Sequence, residues 1–445
     1  MMNAWRQLRQ YPSAIAGLAI VFFFIGVAIY TVIAIPYPDA LRLWRGGEAV
    51  VAQNPRNARP TWFNWFAREK LPPTVILNSG EEGVADITFG EISDDIDEKI
   101  ITMSFDYNYN SFLPEMTFFI DAEFEEKQPF LEIFWITPDG REIRAGEVTP
   151  GAKELFRPSQ DDKVMRRLDA DSAEVGLFMD PNSAEETPLQ GTYQLRISGL
   201  LFEEDADFDV RLVMYGAVHG SAGTDHLRRD LSVALLWGTP IAMAFGLLAA
   251  LFITVINMVL AAISVWYGGR VDAVIQRITD INLILPVLPI LILIGTLYSR
   301  SIWIILGAVI ALGIFGGGIK TYRSIFLQTR ELSYIEAAQS YGASSSRIIF
   351  RYLIPRVIPL MIPTLVTAVP GFVFTEASLA VLGLGDPVLP TWGKVIENAR
   401  SQGALFNGYY YWMLEPAILM MLVGIGFALV GFALDRIFNP KLREI

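Results

Sequence analysis

The sequence predicts an α-helical multi-pass membrane protein of six spans, with a β-sandwich-like domain inserted after the first span and held outside the cytoplasm. Three observations carry this: long apolar runs, a segregation of charge, and a change of hydrophobic period. Of the 445 residues, 52% are hydrophobic, more apolar surface than an ordinary soluble chain of that length uses. Residues 36–230 hold 37 acidic and 19 basic side chains, net −18, whereas the remainder holds 10 and 16, net +6. The long apolar runs all lie in the basic remainder.

Composition excludes several functions. A net charge of −12 is unsuited to wrapping nucleic acid, where Lys and Arg neutralising phosphates supply most of the affinity. With no cysteine in the chain, disulfides, thiolate metal sites, iron–sulfur clusters and thiol catalysis are excluded together. The two histidines, His219 and His226, are too few for a His-rich metal site. No nucleophile, base and orienter stand in a recognisable pattern, so no catalytic and no metal-ligating residue is assigned.

The elements follow in order. Residues 1–35 read as a cytoplasmic N-terminus and first transmembrane helix: Ser13 to Ile35 has about the 20 residues needed to cross the hydrocarbon core. Arg6 and Arg9 precede it and no small-x-small cleavage site ends it, which argues for an anchor with its N-terminus inside rather than a signal peptide. Residues 36–218 read as an acidic, β-rich extracytoplasmic domain. Between Val84 and Gly216 apolar and polar residues alternate, as in stretches starting at Lys99, Met116 and Tyr193, the period of half-buried strands. Thr137-Pro-Asp-Gly140 is a hairpin turn signal, and short strands separated by turns favour a sandwich. Asp205, Asp207 and Asp209 share a strand face, but a calcium loop of the EF-hand type needs Gly at Val210 and Glu at Gly216; a solvated acidic edge is expected instead.

Residues 219–445 read as a five-helix core with apolar runs near 240–264, 280–298, 302–319, 357–380 and 413–434. Six spans return the C-terminus to the cytoplasm, and 13 of the 16 basic residues outside the acidic region then fall inside, only Arg300, Lys394 and Arg400 lying outside. That agrees with the positive-inside rule. Pro240, Pro286, Pro289, Pro363 and Pro370 interrupt spans, and Gly313 with Gly317 has small-xxx-small spacing; broken helices line cavities or pack in bundles. Gly316-Gly-Gly-Ile-Lys-Thr321 mimics a phosphate loop, but Ile319 stands where the motif requires Gly and a span precedes it in place of a strand. The chain is therefore not expected to hydrolyse ATP, and no enzymatic activity is expected of it.

The longest cytoplasmic segment, 320–356, reads as helix, break, helix. Helix formers from Leu332 to Tyr341 end at Gly342, suited to a left-handed C′ position. Ser344 or Ser345 can cap a second helix, Arg347 to Leu353, which Pro355 is expected to stop. A docking element for a soluble partner and a plain amphipathic surface helix both fit this pattern.

Glu336-Ala-Ala-Gln-Ser-Tyr-Gly342 followed by Ile354-Pro355 resembles the EAA loop of permease subunits of bacterial ATP-binding-cassette importers. Gly223–Asp230, Tyr267-Gly-Gly-Arg-Val-Asp272, Thr375–Gly385 and Pro390-Thr-Trp-Gly393 resemble, in order, the dipeptide/oligopeptide/nickel permease family, second-permease type. The match departs at Arg228, where the family usually has Gly before Arg-Asp, and in the length of the connection between the first two spans.

The resemblance implies a type I importer permease fold, with Glu336, Ala337, Ala338 and Gly342, followed by Pro355, coupling to an ATPase groove. Ala337 and Ala338 permit close approach and Gly342 a sharp turn. Glu376, an ionisable group at membrane depth, and the kink residues Pro286 and Pro370 are candidate gate or pathway residues. The implied partners are a second, homologous permease, two cytoplasmic ATPases that carry ATP and Mg, an extracytoplasmic solute-binding protein and the bilayer of the inner membrane, with no cofactor in this chain. Short peptides are the implied cargo, with nickel or oligosaccharides as alternatives. A transport-inactive anchor presenting the β domain is the rival from another class. The charge of the acidic domain fits either steering of a basic binding protein or simple solvation.

Overall fold

The structure, a computed structural model, describes residues 12–438 apart from 82, 94, 95, 184 and 185. Arg6, Arg9, Lys441 and Arg443, which contribute to the orientation argument, lie outside the described residues. Two compact units divide the chain: Met1–Arg45 with Val233–Ile445, and Gly46–Ser232.

The helical unit opens with α1 (Pro12–Ala34), apolar along its length, and a short amphipathic α2 (Tyr37–Arg45). The chain then enters the β unit, in which nine strands among the described residues form two antiparallel sheets. One has the order β1 (Val75–Asn78), β9 (Asp207–Tyr215), β4 (Glu115–Glu123), β7 (Lys153–Phe156). The other has the order β2 (Ala85–Ser93), β3 (Ile96–Tyr107), β8 (Gly191–Leu201), β5 (Phe130–Ile136), β6 (Glu142–Val148). Period-two alternation sends one face of each strand inward: Ile101, Met103 and Phe105 from β3, Met116, Phe118 and Ile120 from β4, Leu131, Ile133 and Trp135 from β5, with matching residues of β8 and β9, form one core. Residues 137–140 close the β5–β6 hairpin, with Gly140 N–H donating to the Thr137 carbonyl at 2.9 Å and Gly140 at φ +84°. Asp205, Asp207 and Asp209 are all exposed, as a solvated acidic stretch would be. Asp205 precedes β9, Asp207 accepts from Lys99 Nζ at 2.6 Å, and Asp209 accepts from Ser79 Oγ at 2.9 Å. Lys99 is buried between Phe89 and Phe208, so the solvated Asp207 also pairs with a buried base.

Beyond the β unit come α3 (Leu231–Tyr267), α4 (Gly269–Ile284), α5 (Val287–Leu297), α6 (Ile302–Gly313), α7 (Gly318–Arg330), α8 (Ser333–Ser340), α9 (Ser345–Ile348), α10 (Ile354–Leu379), α11 (Trp392–Ser401) and α12 (Tyr411–Phe438). Among the described residues four helices are long and apolar enough to cross a membrane, and six crossings are reached if each of two bent pairs is one span. The expected runs 280–298 and 302–319 are those pairs: α4 and α5 meet at 76°, α6 and α7 at 44°. The first break is at Leu285-Pro286, where Leu285 turns extended because a following proline ring disfavours the helical region; the second falls in the glycine run before α7. Gly313 packs against Ile253 of α3, the close approach its spacing suggests, whereas Gly317 meets only Leu283 at van der Waals distance. At 37 residues, α3 spans about 55 Å, well beyond an apolar core of about 30 Å.

The expectation that Pro355 ends a helix is corrected. A wide π turn at Ile349–Leu353 links α9 to α10, and the helical path runs on from Ser345 to Leu384. Pro355 stands in the first turn of α10, where no amide donor is required, and the wide turn absorbs the missing bond.

Candidate functional site

The elbow between α7 and α10 is built by local chemistry. At the end of α8, Gly342 adopts φ +74°, its amide donates to the Gln339 carbonyl at 2.8 Å, and the Ala343 amide donates to that of Ala338 at 3.0 Å. This paired closure satisfies carbonyls that a helix end leaves open and requires the left-handed residue. Nothing crowds a Cβ at 342, so glycine is demanded by backbone conformation alone. Ser344 then caps α9 by accepting from the Arg347 amide at 3.4 Å.

One face of α8 is anchored and the other is bare. Ile335 is buried with Ile348, Ile349 and Leu353 and with Tyr322 and Phe326 of α7, while Glu336 and Ala337 are exposed and Ala338 is half-buried. Tyr341, 91% exposed, projects beside them, a residue the sequence reading passed over. An aromatic directly before a C′ glycine is the signal that could have found it.

A latch supports the elbow. Arg323 of α7 donates from Nε and a terminal nitrogen to the two carboxylate oxygens of Asp272 at 2.8 and 2.6 Å, and Ser264 Oγ donates to the same carboxylate at 2.5 Å. Gly268 and Gly269, both at positive φ, turn α3 into α4 and bring Asp272 there. Arg330, at the end of α7, donates to the Val265 carbonyl at 3.0 Å. The segment Tyr267–Asp272, carried in the sequence only as a resemblance, thus positions the helix that precedes the elbow.

Glu376 lies in α10, 6% exposed, with Thr391 and Asp386 nearby. Asp386 is already committed: it accepts from the amides of Ile302 at 3.0 Å and Val388 at 2.8 Å. Pro286 ends the bend between α4 and α5, and Pro370 lies within α10. The elbow residues and Glu376 therefore occupy distinct regions of one helical assembly. The Pro390–Gly393 segment packs the bundle: Trp392 is buried, donates from Nε1 to the Leu235 carbonyl at 2.8 Å and occupies the space beside Gly238, while Gly393 lies against Ala377 and Ala380 of the α10 region.

At the entry to α3 the departure from the usual glycine is informative. Arg228 has φ +62°, the conformation a glycine would adopt freely. Its side chain is held by Glu115 at 2.6 Å and the Asn54 carbonyl at 2.9 Å, over the Tyr215 ring at 4.3 Å from the centroid. The turn keeps its shape, and the arginine is secured by the inserted β unit.

The helical unit thus combines helices long and apolar enough to cross a membrane, two bent helix pairs and an exposed elbow. The chain belongs to the family of binding-protein-dependent transport system inner membrane components, whose family model matches residues 253–444. The oligopeptide transport system permease protein OppC of Bacillus subtilis is 34% identical over 226 residues, half of this chain and 72% of that protein. The glutathione transport system permease protein GsiD of Pectobacterium atrosepticum is 30% identical, over 50% of this chain and 73% of its own length. The dipeptide transport system permease protein DppC of Bacillus subtilis is 29% identical, over 50% and 69%. The chain is thus a transmembrane permease subunit of the ATP-binding-cassette importer class. The β unit lies outside the family match.

Proposed function

We propose that this permease imports short peptides by alternating access, together with a second permease, two cytoplasmic ATPases that bind ATP and Mg, and an extracytoplasmic solute-binding protein. The peptide cargo is supported by the relatives, an oligopeptide and a dipeptide transport system permease protein. In this reading the chain crosses the membrane six times with both termini cytoplasmic and residues 36–230 outside, which the distribution of Lys and Arg supports.

The elbow is the observation that carries coupling. Residues Glu336 to Gly342 present small side chains and Tyr341 outward while Ile335 fixes the helix to the bundle, the arrangement of a knob that seats in a partner groove. ATP-driven closure would press on α8, and the helical path from Ser345 to Leu384 would carry that displacement about 45 Å to Glu376, at 1.5 Å per residue. Pro359, Pro363 and Pro370 inside α10 supply points at which it bends. Gating by rigid displacement of one bundle against another requires such a lever.

The test uses the reconstituted importer with its binding protein and a short peptide. Gly342→Val and Ala338→Trp are each expected to abolish peptide-stimulated ATP hydrolysis and uptake while the chain still inserts. Normal stimulation in both variants overturns the assignment of the elbow.

A further inference from the structure

The short helical turn Thr61–Trp65 carries the sequence Thr-Trp-Phe-Asn-Trp, followed by Phe66. Trp65 is 83% and Phe66 80% exposed, a costly arrangement in water for two adjacent large rings. They are not free to fold back. Phe66 and Ala67 amides donate to the Phe63 carbonyl at 3.1 Å, and the Asn64 side chain both donates to and accepts from the Leu71 backbone at 3.0 Å. Trp62 packs edge-on to Phe66 with centroids 6.5 Å apart, so the turn that carries the two rings is held by contacts of its own.

The position of this turn within the β unit says what covers it. Thr61 donates from its amide and its hydroxyl to the Gly220 carbonyl at 3.0 and 2.9 Å, and Trp62 Nε1 donates to the Ser221 carbonyl at 3.1 Å. Two residues on, the Gly223 carbonyl accepts from the amide of Leu231 at 3.0 Å, and Leu231 is the first residue of the apolar helix α3. The aromatic turn is thus pinned to the stretch of chain that enters a membrane span. Exposed Arg68 and Lys70 follow it in sequence, with exposed Glu69 between them. Tryptophan and its aromatic neighbours collect at the boundary between headgroups and acyl chains, where an apolar ring meets a polar surround, and adjacent bases suit anionic headgroups.

We propose that Trp65 and Phe66 insert into the bilayer interface, anchoring the β unit to lipid at the point where its chain enters α3. The occupant is the lipid surface, and no protein partner is needed to cover the turn.

The natural absence of cysteine allows a clean test. A nitroxide label is placed on Phe66→Cys or, as a reference, on Asp139→Cys in the exposed β5–β6 turn, in the full chain embedded in nanodiscs of phosphatidylethanolamine and phosphatidylglycerol. Power-saturation EPR then compares collisions with oxygen, which favours lipid, and with a nickel chelate, which favours water. The label at 66 is expected to show a several-fold higher oxygen-to-nickel ratio than the label at 139, and Trp65→Ser in the same chain is expected to lower it. A water-like ratio at 66 in these lipid-only discs overturns the proposal. So does a label shielded from both relaxants, which would mean that protein rather than lipid covers the turn.

Discussion

Replacing Arg228 separates the two physical effects that meet at the turn into α3. Its backbone sits at φ +62°, about 1 kcal/mol unfavourable for a residue with a Cβ. Its guanidinium, whose side chain is 7% exposed, contacts Glu115, which is 30% exposed and has Arg157 as a second neighbour at 3.6 Å. That second neighbour limits the cost of stranding Glu115. Losing the charge-assisted hydrogen bonds is therefore assigned about 2 kcal/mol, and losing the stacking on Tyr215 about 1 kcal/mol. Arg228→Ala removes both contacts and keeps the strained backbone, a loss of about 3 kcal/mol. Arg228→Gly removes the same contacts and relieves the backbone, a loss of about 2 kcal/mol. Hydrogen exchange of the most protected amides in β4 and β9, measured on the purified chain in nanodiscs, reads the difference. Exchange is expected to accelerate roughly 30-fold in the glycine variant and roughly 150-fold in the alanine variant, at about 1.4 kcal/mol per decade. Equal acceleration in the two, or a larger one for glycine, refutes the backbone argument; no acceleration in either refutes the clamp.

Two further outcomes test orientation and acid response. Single cysteines at Asp139 and Ser345 should react oppositely with an impermeant thiol reagent in intact cells or spheroplasts: Asp139→Cys is labelled and Ser345→Cys is not, and the reverse pattern would overturn the topology. Burial lowers the pKa of His219 below its ordinary 6.5, against a smaller opposing effect of Asp230, so the folded β unit keeps this imidazole neutral where the unfolded chain binds a proton. Its contribution to stability is then full above about pH 6.5 and declines as pH falls below that value. His219→Gln is expected to flatten this part of the stability profile between about pH 7 and about pH 5, as followed by thermal unfolding; identical slopes in the two proteins would contradict the assignment.

What could be read in the chain tracks how local the governing interaction is. Strands were legible because period two acts residue by residue, and Thr137–Gly140 announced its turn through proline and glycine. The elbow was legible for the same reason, since the left-handed closure at Gly342 involves only residues 338–343. Where a proline's effect depended on the turn before it, local reading failed: Pro355 looked like a stop, yet the π turn at Ile349–Leu353 let the helix continue. The bends at Leu285-Pro286 and before α7 were foreshadowed by their prolines and glycines, but their angles of 76° and 44° depend on the packing around them.

By itself the sequence determined the division into apolar helices and an acidic β unit, the strand faces, the elbow and the family, because each rests on composition or on short-range order. Only the tertiary structure decided which groups separated by long stretches of chain neutralise one another. Asp272 finds Arg323 across 51 positions, Lys99 finds Asp207 across 108, and Arg228 finds Glu115 across 113. No periodicity encodes such pairs; they arise when sheet register and helix packing bring opposite charges together, and a buried member such as Lys99 or Arg228 then needs its partner.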